Sequence, residues 1–452
     1  MLLLLTLLAI PLTISFFIGY LLLDWIFDKN TKPHASLTFF LAFGLGLGTS
    51  AALTFLSFIL SNQFNRLFII GIHGAVLLSG LSIKLYRCRR QKMPFEFPAL
   101  PDGIILSVLA LTLLPLYCYA SYYPYGGWDA WSCWNLKARF LYLGGEHWQN
   151  MLDPILWRAS PHYPLLLPLI HVWIWSFLPA PLELAPAMNS ILFTILTAGV
   201  LLAGLKSVTG IKTAVAASLL FLTLPFYVIL AISQYSDIVL GFYLLASLIC
   251  LVQARLQKNR SLAVVAGLCA GFLSFTKPEG AIASSLLIAL TFFHFLYKEP
   301  RPSEAVRLIK NFCMAAAIAF IPTIIFQIAY SPGNQTFING LMSVEKPADF
   351  YRFKSIFIYT WAELTSGKWH GIWGLLCLGI IFSRRQGFQR KIIMVPLFLL
   401  AYTGIILIYY FLNTYFEITW WIDVTLNRIL FSILPLMIFW IFYSLWGKEE
   451  LE

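Results

Sequence analysis

Charge is scarce in this 452-residue chain: Asp, Glu, Lys and Arg make up 11% of it, while 60% is hydrophobic before glycine is counted. A soluble globular domain carries about 25% charged residues and about 45–50% apolar ones with glycine included. One water-facing globule cannot hide so much apolar side chain, which excludes a soluble enzyme, a disordered chain and a nucleic-acid-binding domain. Cysteine is sparse too, with seven residues scattered through apolar stretches and no paired spacing. Neither a disulfide framework nor a zinc site is indicated. No GxGxxG or P-loop motif stands in the cytoplasmic connections, so nucleotide chemistry is not indicated either. What remains is an all-α polytopic membrane protein.

A spanning helix needs about 20 predominantly apolar residues. Stretches that qualify lie near 2–23, 37–60, 67–83, 103–122, 184–205, 213–232, 238–254, 261–276, 281–297, 311–330, 369–383, 392–412 and 429–446. The first has no basic start and no small-residue cleavage site, which predicts a retained helix rather than a removed signal. One more apolar stretch, 163–178, is only 16 residues long and bracketed by prolines. Loop charge decides its status, because Lys and Arg stay on the cytoplasmic side. The connections 24–36, 84–102, 206–212, 255–260, 298–310, 384–391 and the segment 447–452 hold 21 of the 31 basic residues. They share one side only if 163–178 does not cross, which predicts an interfacial or re-entrant helix against the outer leaflet. About 13 spans follow, with residue 1 outside and residue 452 in the cytoplasm. Three units are expected: an N-terminal three-helix addition at 1–102, a module at 103–330 with the long outer loop 123–183, and a third at 331–452.

The outer face collects the residues able to do chemistry. Asp129 is bracketed by Trp128, Trp131 and Trp134, with Lys137 and Arg139 about two helical turns later. If 128–142 is helical, the three indoles form one stripe suited to the membrane interface. Asp129 then either caps an amphipathic juxtamembrane helix or acts as a general base at the membrane surface. Asp237 lies in the short turn Gln234–Ile238, where a carboxylate at membrane depth is costly and tends to be functional. A helix cap is the plain alternative. In the turn Thr276–Gly280, Lys277 and Glu279 either pair locally or present a cation to an anionic headgroup, with Glu279 positioning it. Arg428 opens the last span on the side where basic residues are disfavoured. It either snorkels to lipid or grips a phosphate bidentately. His162 and His171 lack ligand spacing, so no metal is expected, and the sequon at Asn334 faces outward as a chance match.

Taken in order, a span, an outer loop with WDAW and KAR, then HYPLLLPL, a YSD turn and GLCAGFLSFTKPEG resemble the GT-C superfamily of polyprenyl-phosphate-sugar-dependent glycosyltransferases. The similarity is to the bacterial branch of lipopolysaccharide-core and lipid A sugar transferases, with protein O-mannosyltransferases more distant. It covers roughly 103–300 and weakens towards Arg428. The resemblance implies that Asp129 is the catalytic acid of the first outer loop, Asp237 a second acid, and Lys277 a cation near the lipid phosphate. Two departures matter. Ala130 follows Asp129 where the protein mannosyltransferases have adjacent acids, and Ile238 and Val239 follow Asp237 where oligosaccharyltransferases have a second acid. The latter argues for a monophosphate donor used without a metal or other cofactor.

The chemistry agrees with the residues. A hydroxyl attacking a lipid-linked sugar needs a base, which typically contributes ~10²–10⁴-fold, and the departing phosphate needs fixed cations. Asp129 supplies the first. Lys277 and Arg428, with Lys137 and Arg139 in reserve, supply the second, while Trp128, Trp131, Glu279 and His162 position substrate. One base predicts inversion at the anomeric carbon. The expected partners are a polyprenyl-phosphate-linked sugar, a glycolipid or glycan acceptor (a protein is the lesser choice) and the bilayer of the bacterial inner membrane, with no nucleic acid. A lipid or solute transporter is the alternative, but it would carry ionisable residues near span centres and paired broken helices. A surface-polysaccharide ligase or polymerase is a further one.

Overall fold

The computed structural model describes residues 2–28, 31–92, 94–296, 302–334, 338–340, 350–383, 385–389 and 392–447. Among them there is no strand. The helices are α1 (Leu2–Ile26), α2 (Ala35–Ser61), α3 (Arg66–Arg90), α4 (Gly103–Tyr122), α5 (Asn135–Leu143), α6 (Leu166–Trp175), α7 (Leu184–Val208), α8 (Ile211–Leu222) and α9 (Pro225–Ile232). They continue as α10 (Ser236–Leu256), α11 (Arg260–Ser274), α12 (Pro278–Leu296), α13 (Pro302–Ile325), α14 (Phe350–Thr365), α15 (Ile372–Phe382), α16 (Met394–Leu412) and α17 (Ile418–Trp446). The sequon residues Gln335 and Thr336, and the basic residues Lys29, Lys298, Arg301, Arg384, Arg390, Lys391 and Lys448, fall outside the described residues.

Nine of the described helices are long and apolar enough to cross a membrane, or ten if α8 and α9 count as one bent span. The protein is therefore a multi-pass helical membrane protein. The expected stretch 213–232 is broken, with α8 and α9 meeting at 70°. The cause is local: Pro225 has no N–H to donate and holds Leu224 extended. Helix α11 has 15 residues and α15 has 11, and the apolar part of α12 also falls short of a full span. A count of thirteen is reached only if the bent pair and these three short helices all cross.

Helix α6 has ten residues, about 15 Å at 1.5 Å per residue, half the ~30 Å hydrocarbon thickness. Every one of its residues is buried. It therefore re-enters the protein rather than lying on a leaflet. Its Trp173 donates to Pro11 O at 3.2 Å and Ser15 Oγ at 3.0 Å, and stacks on His73 at 3.6 Å. This indole ties residues 1–102 into the common core. Helices α11 and α13 pack closely because Gly267 and Gly271 face Phe312 O and Ala319, where an added Cβ would sit 2.2 and 2.4 Å away.

The bundle has two chemically distinct ends. At one, Lys206 pairs with Asp102 at 2.6 Å, Ser36 donates to the same carboxylate, and Asn259 donates to Thr31 O at 2.7 Å. Four of the basic connections thus meet there. At the other end, Leu166 N–H reaches Phe275 O at 3.2 Å and Ser236 Oγ reaches Thr276 O at 3.1 Å. The connection between the expected spans 311–330 and 369–383 contains α14. Its Arg352 donates to Tyr410 O at 2.8 Å and to Asn413 O, beside the start of α17.

Candidate functional site

The second end holds Asp129, Asp237, Lys277 and Arg428, contributed by four separate parts of the chain. Gly127 N–H donates to Ser233 O at 3.0 Å, Gln234 donates to Pro124 O at 2.9 Å, and Asn135 donates to Gln234 at 2.9 Å. These bonds fasten the loop after α4 to the turn before α10. The Thr276–Gly280 turn arrives through Ser236 and is tight enough to require glycine: a Cβ on Gly280 would sit 2.2 Å from Leu273 O and 2.4 Å from Thr276 Oγ1.

Arg428 is the centre of the cluster. Its Nη1 donates to Asp129 Oδ2 at 2.6 Å, while Nη2 and Nε donate to Asp237 Oδ2 at 2.9 and 3.1 Å. Lys277 Nζ donates to the other oxygen, Asp237 Oδ1, at 2.7 Å and lies 3.6 Å from Glu279 Oε1. The order of charge is Asp129, Arg428, Asp237, Lys277, Glu279, alternating in sign throughout. Asp237 and Lys277 are almost fully enclosed, at 2% and 4% side-chain exposure, whereas Asp129 keeps 29%. Glu279 keeps 25%, so the chain of charges is accessible at its two ends and sealed in the middle.

The geometry tells against the plain reading of each residue. Asp129 makes no capping hydrogen bond, and neither carboxylate oxygen of Asp237 caps α10. Lys277 is closer to Asp237 than to its neighbour Glu279. Arg428 turns inward to two acids instead of outward to lipid. One oxygen of Glu279, Oε2, is shielded and has no hydrogen-bond partner.

The remaining predicted residues are placed less uniformly. Residues Ala130–Trp134 form a π-helical turn rather than an α-helical one. The extra residue per turn splits the expected indole stripe. Trp128 and Trp131 stand outside and meet edge-on at 4.4 Å, whereas Trp134 is buried beside Tyr163. Lys137 is fully buried and donates to Ser160 O at 2.7 Å and Tyr163 O at 3.2 Å, so it fastens the 160–163 segment instead of joining the cluster. Burial holds its ammonium below the ordinary lysine range. Arg139 pairs with Glu183. His162 is pushed down to about 4, first by burial and then by the charge of Lys137, and is neutral near pH 7.

Sequence reasoning passed over Tyr235, which sits in the same turn as Asp237. The guanidinium carbon of Arg428 lies 4.6 Å from its ring centre. Burial, then the charge of Asp129, raises the Tyr235 phenol above its usual range. Among the described residues, no three His, Cys, Asp or Glu gather as a metal-binding group. The chain matches no family model, no curated protein and no solved structure.

Proposed function

We propose that the protein is a membrane glycosyltransferase of the GT-C type. It moves a sugar from a polyprenyl-phosphate carrier to a hydroxyl on the extracytoplasmic face of a bacterial inner membrane, with inversion. One observation carries this reading: the partly exposed carboxylate of Asp129 and the cation of Lys277 belong to one hydrogen-bonded chain through Arg428 and Asp237.

In this reading the lipid phosphate lies against Lys277 and Arg428, and Asp237 holds both cations in place. Asp129 takes the proton of the acceptor hydroxyl as that oxygen attacks the anomeric carbon. The bond from that carbon to the phosphate oxygen breaks, and the cations neutralise the released charge in a poorly hydrated site. Arg428 Nη1 also donates to Asp129, so the phosphate and this carboxylate compete for one guanidinium. Arrival of an anionic phosphate draws the guanidinium away, so base activity depends on donor occupancy. No step calls for a metal, because the two fixed cations supply the positive charge.

The convergence of the basic connections at the opposite end supports a cytoplasmic placement for that end under the positive-inside rule. Thirteen spans, with α1 starting outside and α17 ending in the cytoplasm, follow if the bent pair, α11, α12 and α15 all cross and α6 does not. The acceptor is a glycolipid or glycan. The 70° break between α8 and α9 is a feature a transporter reading would favour. The two readings separate in reconstituted liposomes with a polyprenyl-phosphate sugar and an acceptor glycolipid. The enzyme forms an inverted glycosidic bond, visible by NMR, whereas a carrier moves solute or lipid and leaves every glycosidic bond intact.

A further inference from the structure

We infer that Tyr235 is a positioning residue that couples the phosphate-binding cation to the loop bearing the base. This rests on the glycosyl-transfer reading above and assigns a role to a side chain that reading does not use. The ring and the hydroxyl of Tyr235 face different parts of the site. The ring forms a platform for Arg428, whose guanidinium carbon is 4.6 Å from its centre. The hydroxyl lies against the backbone of the Asp129 loop: a Cβ on Gly127 would come within 2.3 Å of it, and the Asp129 backbone amide is directed at the same oxygen.

The placement of Tyr235 is itself over-determined. Before it, Ser233 O and Gln234 are bonded to Gly127 and Pro124; after it, Ser236 is bonded to Thr276 O. The ring therefore cannot move without disturbing both the Asp129 loop and the Lys277 turn. Arg428 comes from α17, which also meets this turn through Ser432, whose hydroxyl donates to Asp237 O at 3.3 Å. Tyr235 thus touches both the guanidinium and the loop of the base. When phosphate draws the guanidinium off Asp129, the ring keeps it in plane, and the hydroxyl keeps the freed carboxylate from following it.

The two halves of the side chain can be removed separately. In Tyr235→Phe the platform stays and the hydroxyl goes; in Tyr235→Leu both go. The readouts are binding of polyprenyl monophosphate in nanodiscs and steady-state transfer from a polyprenyl-phosphate sugar, each normalised to folded protein. Tyr235→Phe is expected to keep donor affinity and KM within about twofold while kcat drops about tenfold, the scale of one lost hydrogen bond. Tyr235→Leu is expected to lose that kcat and also to weaken donor binding and raise donor KM about tenfold, the scale of a desolvated cation–π contact. Variants that match wild type in both readouts would overturn the positioning role and leave glycosyl transfer standing. So would equal losses of kcat in both variants with donor binding unchanged, since the ring would then do nothing for the cation. A wild-type protein that neither binds polyprenyl phosphate nor transfers sugar would overturn the functional reading itself, and this inference with it.

Discussion

The two ends of the bundle both carry ion pairs, but they are built differently. At the basic end Lys84 is sealed at 5%, 3.5 Å from Asp24, but Lys206 and Asp102 keep 27% and 36% side-chain exposure, and Lys32 and Asp24 keep 26% and 24%. Pairs of this kind are solvated and contribute about 0–1 kcal/mol to stability. At the other end, Asp237 and Lys277 are nearly sealed, and Arg428 keeps 17%. Burying such charges costs several kcal/mol per ion before their attraction is counted, and a well-packed apolar trio is often as stable or more so. Stability alone does not account for placing five alternating charges there. Poised charge in a low-dielectric recess is what transition-state stabilisation requires. The basic end reads as topology, and the acidic-and-basic chain reads as chemistry.

That contrast yields a graded set of expectations. The largest effect belongs to Asp129→Asn, which preserves shape and most hydrogen bonding but removes the base. Transfer should fall ~10²–10⁴-fold with membrane insertion intact, measured as product formed per folded protein in liposomes. Near-wild-type rates would take Asp129 out of the mechanism. Next comes Lys277→Ala, which leaves Asp237 with Arg428 alone. It should weaken donor use more than acceptor use and also destabilise the fold, by less than the about 3–5 kcal/mol of leaving a buried charge with no partner, because Arg428 still holds Asp237. Separate KM values for donor and acceptor, with a denaturation midpoint, check both parts, and equal losses on donor and acceptor would remove the phosphate role.

Smaller still is the effect at the basic end. Lys206→Ala should change stability by less than about 1 kcal/mol and leave transfer untouched, as expected of an exposed pair. A large loss of activity there would erase the distinction between the two ends. The last expectation concerns pH. His162 is held at about 4 in the folded protein against an ordinary 6.5. Between those values the unfolded chain binds the extra proton, so stability falls as pH is lowered from 6.5 towards 4. The thermal midpoint of His162→Gln should decline less steeply across that window than that of wild type. Identical slopes would show that the imidazole is not sequestered.

Much of the site was legible because charge is so rare. In a chain with 11% charged residues, an acid or cation at a span boundary stands out, and Asp129, Asp237, Lys277 and Arg428 were each found that way. What could not be read was how they pair. Lys277 and Lys137 look alike in sequence, both basic and both on the same face, yet Lys277 reaches a carboxylate and Lys137 reaches two carbonyls. Tyr235 was hidden by abundance, as one of 21 tyrosines with no charge to mark it. The π-helical turn at Ala130–Trp134 left no signal that a 3.6-residue period would detect, so Trp134 was assigned to the wrong surface.

The helices divide in the same way. Long apolar runs such as α7, α10 and α17 were recovered as long helices, since hydropathy reports length directly. The bend at Pro225 was invisible to a window that averages across it. Helix α14 was missed because Arg352, Lys354 and Glu363 interrupt its apolar face and made it read as loop. Helix α6 was read as non-crossing from loop charge, but its enclosure on all sides depends on α1, α2 and α3, which sequence alone did not bring near it.

Mass spectrometry of envelope glycolipids tests the central claim most directly, in cells lacking the gene and in the same cells given back wild type or Asp129→Asn. The account predicts that one pentose or hexose increment disappears with the gene, returns with wild type and stays absent with Asp129→Asn despite equal protein in the membrane. Return of that increment with the Asp129→Asn chain, or a glycolipid profile unchanged by loss of the gene, would contradict it.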